Sequence, residues 1–121
     1  MPVKFEVTLD EELQIIRQWV EGNLDLETFR EIDAQTDACA NRLRDPSRVR
    51  VLVSAPKLGH ARADARRAMA ASLKRPNLFR LAVYDATPVG RVMIRFMTVL
   101  AGANNTRAFA TEAEALAWLL S

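Results

Sequence analysis

Leu78-Phe79-Arg80-Leu81-Ala82-Val83-Tyr84 and Thr87-Pro88-Val89-Gly90-Arg91-Val92-Met93-Ile94-Arg95-Phe96-Met97-Thr98-Val99-Leu100 decide the fold. The first is an apolar and aromatic run of strand length. The second opens with a threonine able to cap a helix and a proline whose missing N–H costs nothing in a first turn, and it stops near Gly102. A strand followed at once by a helix is the repeating unit of a parallel sheet, because a helical crossover returns the chain to the same end of its neighbour.

The same unit recurs on both sides. Upstream, Val49-Arg50-Val51-Leu52-Val53 is a short β-branched run, and after a break at Pro56 and Gly59 a helix is expected from His60 to Lys74. Downstream, Thr106 to Ala110 reads as a last short strand. Thr111 and Glu114 then form a capping box, in which each side chain can satisfy a backbone donor of the other, ahead of Ala115, Leu116, Trp118 and Leu119.

The N-terminal third differs. Val3, Phe5, Val7 and Leu9 alternate with polar residues as in a strand with one buried face, Asp10-Glu11-Glu12 is a polar turn, and Leu13 to Gly22 is a second strand, pairing as a hairpin. Asp25 then caps a helix whose stripe is Leu26, Phe29, Ile32, Cys39 and Leu43, with Thr36 in its gap, ending before Pro46. The expected order is β-β-α-β-α-β-α-β-α: an α/β fold with four helices and a five-stranded, mostly parallel sheet, its first strand antiparallel.

Composition agrees with one domain over residues 1–121. Half of the 121 residues are hydrophobic and 26% are charged, with four Gly and five Pro, a balance that excludes a disordered or low-complexity chain. No apolar run approaches the roughly 20 residues that span a bilayer, and Met1-Pro2-Val3-Lys4-Phe5-Glu6 has no signal-like apolar block, so a cytoplasmic location is expected. One cysteine and one histidine exclude an internal disulfide and an ordinary zinc site. Charge is segregated: residues 57–107 hold ten Lys/Arg against Asp64 and Asp85, net +8, and the rest holds seven against thirteen acids, net −6. Such a field draws anions or steers self-association.

The hairpin with its helix, the three strand-helix units, Asp85 after the strand ending at Tyr84, and the closing Phe109-Ala110-Thr111-Glu112-Ala113-Glu114-Ala115-Leu116-Ala117-Trp118-Leu119 together resemble the SpoIIAA-like proteins, a group related to STAS domains and distantly to CRAL-TRIO domains. The STAS relation implies successive βα units on one sheet and a regulatory, protein-binding role; the CRAL-TRIO relation implies a lipid pocket. The chain departs from the STAS antagonists at the Asp-Ser-Ser or Asp-Ser-Thr run that carries their phosphorylated hydroxyl. The equivalent stretch here is Val53-Ser54-Ala55-Pro56-Lys57-Leu58-Gly59-His60, with Ser54 as its only hydroxyl, at the strand end, so a phosphorylation switch is not expected.

Chemistry candidates are few. His60 could face Asp64 across one helical turn but is expected to be a surface histidine, and Cys39 on the first helix's stripe a small buried hydrophobe. There is no phosphate loop, nucleophile elbow or metal-ligand spacing, so no enzyme, cofactor or metal is expected. Arg62 and Arg66, beside Arg67, Lys74 and Arg75, give one helix a basic face, and Arg91 and Arg95 repeat the four-residue spacing on the next. The four, 62, 66, 91 and 95, could converge on an anion. Nucleic acid is not expected, since no binding motif accompanies the charge.

The segment from Pro88 to Leu100 carries more apolar surface than covering a sheet requires. Val89, Val92, Met93, Phe96, Met97 and Leu100 are therefore its expected interface or lipid-facing residues. Two readings follow: an interaction or regulatory module that self-associates or binds a partner protein through this helix, or a binding protein for a small amphiphile or anionic lipid.

Overall fold

The computed structural model describes residues 3–121. Its elements are β1 (Lys4–Asp10), β2 (Ile15–Leu24), α1 (Leu26–Ala40), β3 (Val49–Ala61), α2 (Ala63–Ser72), β4 (Leu78–Tyr84), α3 (Pro88–Ala101), β5 (Thr106–Phe109) and α4 (Glu112–Leu119). The five strands lie in the order β1-β2-β3-β4-β5, with β1 antiparallel to β2 and every other pair parallel. This is the architecture and element order that the sequence predicts.

Several boundaries differ, each for a local reason. Leu13 belongs to the first turn: its N–H donates to the Asp10 carboxylate at 3.0 Å, and Gln14 takes a positive φ of 56° to reverse the chain. β2 continues through Gly22, whose φ of 99° makes it a bend within the strand and not its end. The largest difference is β3, which runs for thirteen residues where a five-residue strand and a break are expected. Trp19 pairs with Ser54 and Glu21 with Lys57, so Ala55 and Pro56 both lie against Val20. A bulge of this kind lets a strand carry a proline that has no ladder hydrogen to give. A second shift follows between Gly22 and Leu24, where the Asn23 side-chain oxygen accepts the His60 backbone N–H at 3.0 Å.

Two readings of the sequence fall with that strand. His60 is an exposed strand residue, so its helical spacing to Asp64 does not exist, and Ser54 lies within β3 instead of at its end. Helix α1 is also shorter than its apolar stripe: it ends at Ala40, and Leu43 reaches the core from the turn that follows.

Right-handed crossovers between successive parallel neighbours place α1, α2 and α3 on one face of the sheet. There Val20, Ile32, Leu58, Ala65, Val83, Met93 and Ile94 share the main core. The alternate strand residues Ile15, Leu52 and Ala82 face the other way, against Ala115 and Leu119 of α4. One face thus carries three helices and the other carries one.

Candidate functional site

Helix α3 is fixed at both ends by its own sequence. The Thr87 hydroxyl oxygen accepts the Gly90 N–H at 2.9 Å, and the same hydroxyl donates to the Leu58 carbonyl of β3 at 2.9 Å. At the far end Gly102 takes φ 63°, and the Ala103 N–H reaches back to the Thr98 carbonyl at 2.9 Å, a glycine-terminated Schellman closure.

Between these caps the helix is apolar on both sides. Gly90, Met93, Ile94 and Met97 turn inward, while Val89, Val92, Phe96, Val99 and Leu100 stay exposed, Val92 at 70% and Val99 at 76%. The expected surface set therefore splits. Met93 and Met97, at 7% and 5% exposure, are core residues and do not belong to the outer face. At 100° per residue, positions 90, 93, 94 and 97 share one arc, and 89, 92, 96 and 99 lie off it. Where apolar residues occupy both arcs, their pattern alone does not say which one meets the sheet.

Behind the inward arc is a cavity of about 130 Å³, lined among others by Phe29, Ile32, Met69, Leu81, Met93 and Met97. A largely apolar space of that size admits a small ring-sized molecule. Its polar rim is an ion-pair cluster in which Arg75 bridges Asp33 at 2.5 Å and Asp37 at 2.6 Å. Burial pushes the Asp33 carboxyl above its ordinary range, while the Arg75 charge and hydrogen bond pull the other way.

The basic residues do not converge as a group of four. Arg62 is the exposed N-cap residue of α2, and Arg66 turns back to donate to the Ala61 carbonyl at 2.6 Å. Arg91 and Arg95 instead line a second recess of about 370 Å³ between α3 and β5, together with Thr98, Thr106, Arg107 and Phe109, and neither Arg62 nor Arg66 lines it. The third cation is thus supplied by a strand.

A different arginine group was not singled out by the sequence. Helix α4 has no basic residue in its last turn, and its terminal carbonyls are met from the sheet. Arg50 Nε donates to the Leu119 carbonyl at 3.0 Å, and Arg80 Nη1 donates to the Trp118 carbonyl at 2.5 Å. Cations are favourable at a helix C-terminus. The Phe79 ring has the guanidinium carbons of Arg48, Arg50 and Arg80 at 4.0, 4.8 and 5.1 Å from its centroid. Burial, then the charges of Arg48 and Arg80, hold Arg50 below its usual pKa. The sequence signal was a helix lacking its own C-terminal cation beside strands with arginine at their polar positions.

A SpoIIAA-like family model matches residues 15–120. Among solved structures, an uncharacterized protein of the DUF3478 family with a SpoIIAA-like fold, from Shewanella loihica PV-4, superimposes with a TM-score of 0.69 at 13% identity, covering 97% of this chain and 93% of that one. That likeness concerns the fold. No curated protein matches. Among the described residues, no helix is long and apolar enough to cross a membrane.

Proposed function

The chain belongs to the SpoIIAA-like family, and from that premise we propose that it is a non-catalytic STAS-like interaction module that pairs with a second copy of itself through the outer face of α3. One observation carries this reading: five large apolar side chains, Val89, Val92, Phe96, Val99 and Leu100, stand exposed on a single helix whose other side is already packed. Contiguous apolar surface of this kind marks a contact region. The basic surplus of residues 57–107 and the acidic surplus outside them offer a second copy complementary charge.

The cavity beneath α3 supports a second reading, the binding of a small amphiphile. Met93, Ile94 and Met97 present flexible and branched apolar surface to a void that the chain's own atoms leave open. Native mass spectrometry on protein purified from cells addresses both readings. The first expects a dimer mass that falls to monomer when Val92 and Phe96 are both changed to Gln. Failure to find dimer at any working concentration, or a dimer indifferent to the double change, overturns it. The second expects a monomer carrying a bound adduct of roughly 100 Da, the size that the cavity admits; bare protein throughout overturns that one.

A further inference from the structure

The recess between α3 and β5 is built differently from the association face, and nothing in the pairing of two chains explains it. Its lining includes the five consecutive residues Thr106, Arg107, Ala108, Phe109 and Ala110. Side chains along a strand alternate between the faces of a sheet, so the four of β5, Thr106 to Phe109, can line one space only if it follows the strand's rim. β5 is the last strand of the order, and its outer side has no strand neighbour. Backbone donors on that side of an edge strand are unpaired.

Three guanidinium groups reach the recess from two directions. Arg91 and Arg95 are one turn apart on α3, above one face of the sheet. Arg107 comes from the other face, where its guanidinium carbon lies 5.4 Å from the centre of the Trp118 ring of α4. The same ring packs on Phe109 with centroids 5.6 Å apart. Stacking on a fixed indole restrains the Arg107 fork before any ligand arrives, which lowers the ordering cost of binding. No acidic side chain lines the recess. Among the described residues, none of the three arginines takes part in a salt bridge. This contrasts with Arg17, Arg42 and Arg75, each held by a carboxylate.

We infer that Arg91, Arg95 and Arg107 form a binding site for a phosphate monoester group. Guanidinium forks match the oxygens of a phosphate in pairs, and a dianion balances most of the charge of three arginines. The Thr98 and Thr106 hydroxyls also line the recess but already donate inside the chain, to the Arg95 carbonyl at 2.8 Å and the Asn105 side-chain oxygen at 3.2 Å, so the arginines carry the binding. A volume of about 370 Å³ lies at the lower end of the range for small-molecule sites, large enough for the phosphate with a few further heavy atoms. The inference does not depend on self-association, because the apolar residues proposed for pairing lie outside this lining.

The test is a titration of the whole chain, read by calorimetry and by Trp118 fluorescence in a Trp19→Phe background. Its probes are inorganic phosphate, glycerol 3-phosphate, and phosphatidylcholine vesicles with or without phosphatidic acid. Saturable binding of the soluble probes assigns the site to a soluble phosphate ester. Binding confined to the phosphatidic acid vesicles assigns it to a lipid headgroup. In either case Arg91→Gln, Arg95→Gln and Arg107→Gln each weaken binding roughly tenfold or more, and Arg107→Lys, which keeps the charge without the fork, falls between. Arg62→Gln, Arg66→Gln and the Val92→Gln/Phe96→Gln double variant bind within twofold of the parent, which separates this site from the association face. The inference is overturned if no probe binds saturably, or if the three recess variants bind as the parent does. The arginines would then be charges that guard an open strand edge.

Discussion

The two faces of the sheet use the same two residue types, arginine and large apolar side chains, to opposite effect. On the α4 face Arg50 and Arg80 are held by the helix's terminal carbonyls, and Leu119 and Ala115 are fully enclosed. On the α3 face Val92, Phe96 and Val99 remain in water, and Arg91 and Arg95 carry no ion pair among the described residues. The arginines at the α4 terminus are used by the fold itself, whereas the α3 face presents groups that the fold does not use, and Arg107 beside Trp118 is the group of the α4 face that shares this availability. Composition cannot separate the two, since a buried and an available arginine read alike in a sequence. What distinguishes them is whether a partner inside the chain already exists.

Substitution should make that difference measurable. The largest effect is expected within α3 itself: Met97→Asp places a carboxylate at a 5% exposed core position and should cost about 3 kcal/mol or more, or abolish folding. Val99→Asp, two residues on, should change the stability of the dissociated chain by about 0.5 kcal/mol or less, in urea denaturation at a protein concentration too low for pairing. Equal losses at both positions would mean that the helix has no free side. Next in size is the contrast between arginines. Arg80→Ala strips the α4 terminus of a charged donor and should lower stability by about 1–2 kcal/mol, with faster amide exchange confined to α4. Arg95→Ala should be nearly neutral in the same assay.

The smallest effect comes from acid. Helix α1 is capped by a carboxylate, Asp25, which accepts the Thr28 N–H at 2.7 Å, whereas α4 is capped by the Thr111 hydroxyl. The Thr28 hydrogen bonds hold Asp25 below the usual aspartate range. A lowered folded-state pKa adds stability above the unfolded value near ~4, and that stability disappears as pH falls through the folded value. Amide exchange at the start of α1 should therefore quicken below about pH 4 before that of α4 does. Asp25→Asn, which still caps, should remove the difference at α1.

Most of the fold was legible because each element carries a local cause: Thr87-Pro88 and Gly102 bracket α3, Asp25 starts α1, and Thr111 starts α4. The α4 start kept only half of its expected box. Thr111 accepts the Glu114 N–H, but the glutamate takes the threonine hydroxyl and not its backbone. The length of β3 was illegible for a different reason. Pro56 normally ends a strand, and the bulge that retains it is a property of the pairing with β2, not of the residues around it. The candidate site divides likewise. Arg91 and Arg95 were found by their spacing, while Arg107 joined them through topology, from a strand placed beside α3 only once the sheet is assembled.

The overlong third strand has one further effect. β4 stops pairing with it at Ser54, so the later residues have no strand partner from β4, and the Thr87 hydroxyl ties the start of α3 to Leu58 there. The overhang is thus a mooring post for the penultimate helix. Trimming it to the length of its neighbour would leave a complete sheet with that helix cast loose.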